Sequence, residues 1–113
     1  MSSSALAALD AILERGGDAD DVLRAALEVL VAEPGIEWAG IFLLEEGELV
    51  LGPATGAADE TRRLVTPISF HGDPVGQLAV DGAAEAAFLA RVADLLSPYV
   101  LLGWDTGGEA WEP

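Results

Sequence analysis

Residues 37–45 (EWAGIFLLE) constrain the fold more than any other stretch of the sequence. They are rich in aromatic and branched side chains and bounded by charges, which marks a strand. Side chains alternate across a strand, so Ala39, Ile41 and Leu43 share one side and Trp38, Phe42 and Leu44 the other. Both sides are apolar. Such a strand belongs in the middle of a sheet, with something covering each face.

The flanking segments supply that sheet and its covers. Residues 5–15 carry Leu6, Leu9, Ile12 and Leu13 at helical spacing, with serines before them and Gly16-Gly17 after. A second helix is expected from Asp18, a cap residue, with Asp20 and Asp21 complementing its positive end. Its apolar stripe is Val22, Leu23, Ala26, Leu27, Leu30 and Val31, and Pro34-Gly35 stops it. After the central strand, Glu46-Gly47 makes a tight turn and residues 48–52 return as a second strand. Residues 53–62 read as a short connection. Residues 63–70 (RLVTPISF) form a third strand despite Pro67, His71 to Pro74 supply turn chemistry, and residues 75–81 (VGQLAVD) form a fourth. Residues 83–102 are helical, with Phe88, Val92, Leu95 and Leu96 on one face. Pro98 is expected to kink or restart that helix, with Ser97 as its cap.

This order predicts an α+β domain: a four-stranded antiparallel sheet with three helices, two N-terminal and one C-terminal, packed on one face. One domain is expected over 1–103, and the turn-rich composition of 104–113 suggests a tail. The helix-facing side of the sheet collects Ala39, Ile41, Leu43, Leu64, Ile68, Leu78 and Val80. The second side collects Trp38, Phe42, Pro67, Ser69, Gln77, Ala79 and Asp81.

Composition narrows the function. The chain has 113 residues, 51% of them hydrophobic, enough for one core. Its 20 acidic residues face five arginines and no lysine, for a net charge of −15. That field repels phosphate backbones, so nucleic acid is not an expected partner. An acidic inhibitor that mimics nucleic acid, an adaptation to high salt and a plain solvated surface all fit the charge. No apolar run reaches the length of a membrane span. The first residues lack the basic and apolar regions of a signal peptide, so a cytoplasmic location is the default expectation. Without cysteine there is no thiolate nucleophile or thiolate metal site, and no metal-ligand spacing or phosphate loop is present. No cofactor is expected.

Residues 38–44 followed by 48–53 resemble the first hairpin of GAF domains, and are most similar to the free methionine-(R)-sulfoxide reductase group of that superfamily. Residues 64–68 and 75–81 resemble its second central hairpin. The resemblance implies a minimal GAF-like fold whose ligand pocket lies on the sheet side away from the terminal helices. In those reductases an aromatic pair on the first strand and two aspartates on the last line the pocket. By resemblance Trp38 keeps the first aromatic position and Phe42 replaces a tyrosine. Ala79 stands where the first aspartate belongs, and Asp81 keeps the second. The family carries its redox cysteines in a long segment between the hairpins, where this chain has only residues 53–62. Sulfoxide reduction there needs one thiolate to attack sulfur and another thiol to resolve the adduct. With no cysteine, the expectation is no enzyme and no catalytic residue.

Each candidate residue has a structural alternative. Trp38 and Phe42 are either walls of a ligand cleft or core and interface aromatics. Asp81 either binds a ligand amine or caps the following helix. His71 reads as a solvated turn residue, and Arg62-Arg63 as a charged start to a strand. The leading expectation is a regulatory or interaction module that homodimerises through the uncovered sheet face or the terminal helices. The alternative is a small-molecule sensor, with its ligand among Trp38, Phe42, Ser69, Gln77 and Asp81.

Overall fold

A computed structural model of the chain describes residues 3–110, with side-chain detail for 4–101. Three helices and four strands follow one another: α1 (Ser3–Arg15), α2 (Ala19–Val31), β1 (Ile36–Glu45), β2 (Glu48–Gly56), β3 (Arg63–Phe70), β4 (Asp73–Gly82) and α3 (Ala86–Ala110), with a short 3-10 turn at Glu60–Arg62. The sheet is antiparallel throughout, in the order β2-β1-β4-β3, so β1 is central as its two apolar sides require.

The helix-facing side of the sheet matches the sequence pattern closely. Ala39, Ile41, Leu43, Ile68, Leu78 and Val80 join one buried cluster with Leu23, Leu27 and Leu30 of α2 and Leu89, Val92, Leu96 and Val100 of α3. Ala5 and Leu9 of α1 enter the same cluster. Burial of this much apolar area is the main force holding the layers together. Leu64 departs from the pattern: it lies on an edge strand and stays 38% exposed. Helix α2 lies against both α1 and α3 and covers β1 and β2, while α3 covers β3 and β4.

Several local expectations are corrected. Strand β2 does not end at Gly52 but runs to Gly56, past a one-residue shift in its register with β1. Pro53 is tolerated because β2 is an edge strand. Helix α3 does not restart at Pro98 and continues to Ala110, where turn chemistry was expected; residues 111–113 of the expected tail lie outside the described residues. Proline at 98 cannot donate to the Asp94 carbonyl, and the Ser97 hydroxyl donates to that carbonyl instead, at 3.0 Å. Ser97 is thus a bridge within one helix rather than a cap. Asp18 does occupy the N-cap of α2, yet its side chain makes no capping hydrogen bond. Asp20 and Asp21 sit in the first turn as expected, and Asp20 also pairs with Arg24 at 2.8 Å.

Both hairpins close through two-residue turns with left-handed backbone at both positions, Glu46-Gly47 (φ 51 and 82) and His71-Gly72 (φ 54 and 85). This is the turn whose twist matches paired strands. Glycine adopts it freely, whereas Glu46 does so at a cost that asparagine reduces. Glu46→Asn is expected to stabilise the fold by about 0.5 kcal/mol. A urea midpoint that rises with an unchanged slope would bear this out, and a lower midpoint would refute it.

Candidate functional site

Cross-strand pairing arranges the second side of the sheet in rungs. Gly56, Trp38, Asp81 and Arg63 form the first; Ala54, Gly40, Ala79 and Val65 the second; Leu51, Phe42, Gln77 and Pro67 the third. The structure therefore brings Trp38 and Asp81 together, and Phe42 and Gln77 together two rungs away. Ser69 is not on these rungs. It follows a register shift between Ile68 and Ser69, pairs with Pro74 and is exposed.

The first rung is closed. Asp81 is fully buried, yet it does not cap α3, which begins later at Ala86. Its carboxylate accepts from Arg63 Nε at 2.7 Å and Arg63 Nη2 at 2.9 Å, a bidentate pair, and from the Asp59 backbone N–H at 2.6 Å. The Arg63 guanidinium holds the Asp81 carboxyl below the usual carboxylate range, outweighing burial, and the Asp59 N–H adds to the effect. In return, the hydrogen bond that Arg63 donates to Asp81 raises the arginine further above its already high value. The guanidinium carbon also lies 4.2 Å from the centroid of the Trp38 ring, a cation–π stack.

Trp38 fills its own surroundings. It is 7% exposed, and its six-membered ring lies over Gly40, where a Cβ would stand only 2.5 Å from Cη2 and 2.7 Å from Cζ2. The space between Trp38 and Phe42, where a ligand between two aromatics would lie, is thus partly taken by indole. Residues 57–62 form a short roof at this end. Ala57 N–H donates to the Glu37 carbonyl at 2.9 Å, Arg62 pairs with Glu37 at 3.1 Å, and Asp59 caps the 3-10 turn through the Thr61 N–H.

The opposite end of the same face is open. Leu49 and Leu51 are 44% and 51% exposed, Val65 is 50% exposed, and Pro67 is exposed beside half-buried Phe42 and Gln77. Among the described residues no cluster of His, Cys, Asp and Glu is arranged to hold a metal. A cavity of about 300 Å³ lies elsewhere, lined by Leu44, Glu46, Gly47, Asp73, Pro74, Val75 and Leu101. None of the candidate ligand residues borders it.

Arg63 is the residue that sequence reasoning missed. A hairpin closed at His71-Gly72 without interruption would set Arg63 opposite Val80 on the helix side. The shift after Ile68 moves it opposite Asp81. Two signals were available: strand alternation, which sets Arg63 on the same side as Pro67 and Asp81, and the adjacency of an arginine and an aspartate at corresponding ends of one hairpin.

No protein-family model and no curated protein matches the sequence. Solved structures do match the fold. The GAF domain of the Acinetobacter phosphoenolpyruvate-protein phosphotransferase aligns with a TM-score of 0.71 at 17% identity, covering 96% of this chain and 99% of that one. The fRMsr of Staphylococcus aureus, in complex with substrate, aligns with a TM-score of 0.70 at 17% identity, covering 87% and 94%. The type II free methionine-R-sulfoxide reductase of Thermoplasma acidophilum aligns with a TM-score of 0.61 at 21% identity, covering 73% and 92%. The chain has the GAF fold, and it has no cysteine.

Proposed function

We propose that this GAF-fold chain is a non-catalytic regulatory or interaction module that self-associates through the open apolar surface of its sheet. One observation carries the reading: on a single sheet side, the end that resembles a ligand site is sealed from within, while the other end exposes apolar side chains. Arg63 takes the carboxylate of Asp81 and covers Trp38, so the groups suited to an amine-bearing ligand are already engaged. Leu49, Leu51 and Val65 instead remain in water, and exposed apolar patches of this kind mark association surfaces. The chain has no cysteine, so the thiol chemistry implied by its resemblance to the reductases is not open to it. No helix among the described residues is long and apolar enough to cross a membrane.

Self-association works against the net charge of −15 on each chain, so salt is expected to strengthen it. Light scattering on a size-exclusion column, at low and high salt and over a range of concentrations, tests the reading. The expected mass is twice the 11.7 kDa of the chain, with a larger dimer fraction at high salt and high concentration. A monomer under every condition would overturn it and return the sheet face to a ligand-binding role.

A further inference from the structure

Both edge strands expose apolar side chains, Leu64 and Val65 on β3 and a longer run on β2. Leu49, Val50 and Leu51 are 44%, 42% and 51% exposed in succession, so this part of the strand is bare on both faces. Helix α2 reaches β2 only further along, where Thr55 hydrogen-bonds Glu28 at 3.3 Å and Pro53 is buried. Edge strands are normally protected by charge or proline, and on β3 Pro67 closes a window of only two exposed apolar residues, Leu64 and Val65. On β2 such residues, Glu48 and Pro53, only flank the apolar window.

The backbone polarity of the window follows from its hairpin. A two-residue turn makes Glu45 and Glu48 a hydrogen-bonded pair, and the alternation of an antiparallel ladder then points the N–H and C=O of Leu49 and Leu51 away from β1. Residues 49–51 (LVL) are symmetric about Val50. Antiparallel pairing with an identical strand centred on Val50 sets each Leu49 opposite the second copy's Leu51, both with outward-pointing backbone groups. It also sets Glu48 opposite Gly52, so no carboxylate faces another.

We propose that two copies join edge to edge through β2, with the two-fold axis at Val50, to form one continuous eight-stranded sheet. This rests on the self-association proposed above and places its contact at the β2 edge of the sheet rather than over the open face. The open apolar side of each sheet then continues across the seam through Leu49 and Leu51, and Val50 meets Val50 on the other side. Because the ladder is short, it buries less than a stable dimer of standard size needs, and the association is concentration-dependent.

The chain has no cysteine, so a single introduced thiol reports one contact. Val50→Cys is expected to cross-link into a dimer about tenfold faster than Leu64→Cys, because non-hydrogen-bonded antiparallel pairs hold their Cα atoms within disulfide range. Leu64→Cys places an equally accessible thiol on the opposite edge strand. Leu51→Pro removes an outward N–H without breaking the hairpin, and is expected to abolish the dimer with an unchanged far-ultraviolet circular dichroism spectrum. If the wild-type chain scatters as a dimer but Val50→Cys cross-links no faster than Leu64→Cys, edge pairing is wrong and self-association stands. If the wild type is monomeric throughout, both fall.

Discussion

Arg63→Ala is expected to destabilise the fold by about 3 kcal/mol at neutral pH, at the low end for a stranded buried charge because truncation also admits water to Asp81. In a domain of this size that lowers the melting temperature by roughly 10–20 °C. The fully buried Asp81 carboxylate would keep only the Asp59 N–H as a partner, and Trp38 would lose the guanidinium stacked on it. The pH dependence separates this cause from a general loss of packing. In the wild type Asp81 titrates below its unfolded value of about 3.9, so its contribution is complete above that pH and is lost as pH falls through the lower folded value. In the variant, burial without a charge partner raises the Asp81 pKa. The penalty is then full at neutral pH and relaxes as the carboxyl protonates. The stability gap between the two proteins should therefore narrow from pH 7 toward pH 4 and below. Thermal melts at matched pH measure it, and a pH-independent gap would show that the ion pair is not its source.

Gly40→Val is the second substitution with a large expected effect, about 3 kcal/mol of destabilisation, since overpacking a filled site costs about 1–3 kcal/mol and the cation–π stack is lost with it. Any Cβ at 40 meets the Trp38 ring, and Ala54 Cβ blocks retreat on the β2 side at 3.2 Å. The indole must leave its place over Gly40, uncovering both Arg63 and the space between the two aromatics. In a background with Trp104→Phe and Trp111→Phe, Trp38 is the sole indole, and its emission should move toward that of a solvated ring. Unchanged emission together with unchanged stability would mean that the ring does not lie over Gly40.

The parts of the fold that follow from hydrophobic period and turn chemistry were readable in the sequence. Ala39, Ile41 and Leu43 pointed to the helices, Trp38 to the other side, and Glu46-Gly47 to a tight hairpin, while the turn read over His71 to Pro74 is narrower, His71-Gly72 alone, with β4 starting at Asp73. What escaped notice depends on single-residue shifts and single hydrogen bonds. A register shift beyond Ile68 sets Arg63 opposite Asp81 rather than Val80; alternation from Pro67 places Arg63 on that side, but no residue marks the shift itself. A shift in the β1–β2 register carries β2 through Gly52 and Pro53, residues that by composition end strands. One hydroxyl, that of Ser97, supplies the Asp94 carbonyl with a donor and lets α3 pass a proline. The candidate site was legible as a set of positions, and its closure was not.

The strand order also sets a sequence of events for folding. Each outer ladder, β1–β2 and β3–β4, is made by a hairpin whose ends are neighbours in the chain, whereas the central β1–β4 ladder joins residues as distant as Ile36 and Gly82. Hairpins close in microseconds, and the larger loop-closure entropy falls on the seam between them. The expected transition state is therefore the docking of the two hairpins along β1 and β4, with the highest φ-values at Ala39, Ile41, Leu78 and Val80. Until that step, both sides of β1 are bare, and the most apolar segment of the chain is at its most vulnerable to aggregation.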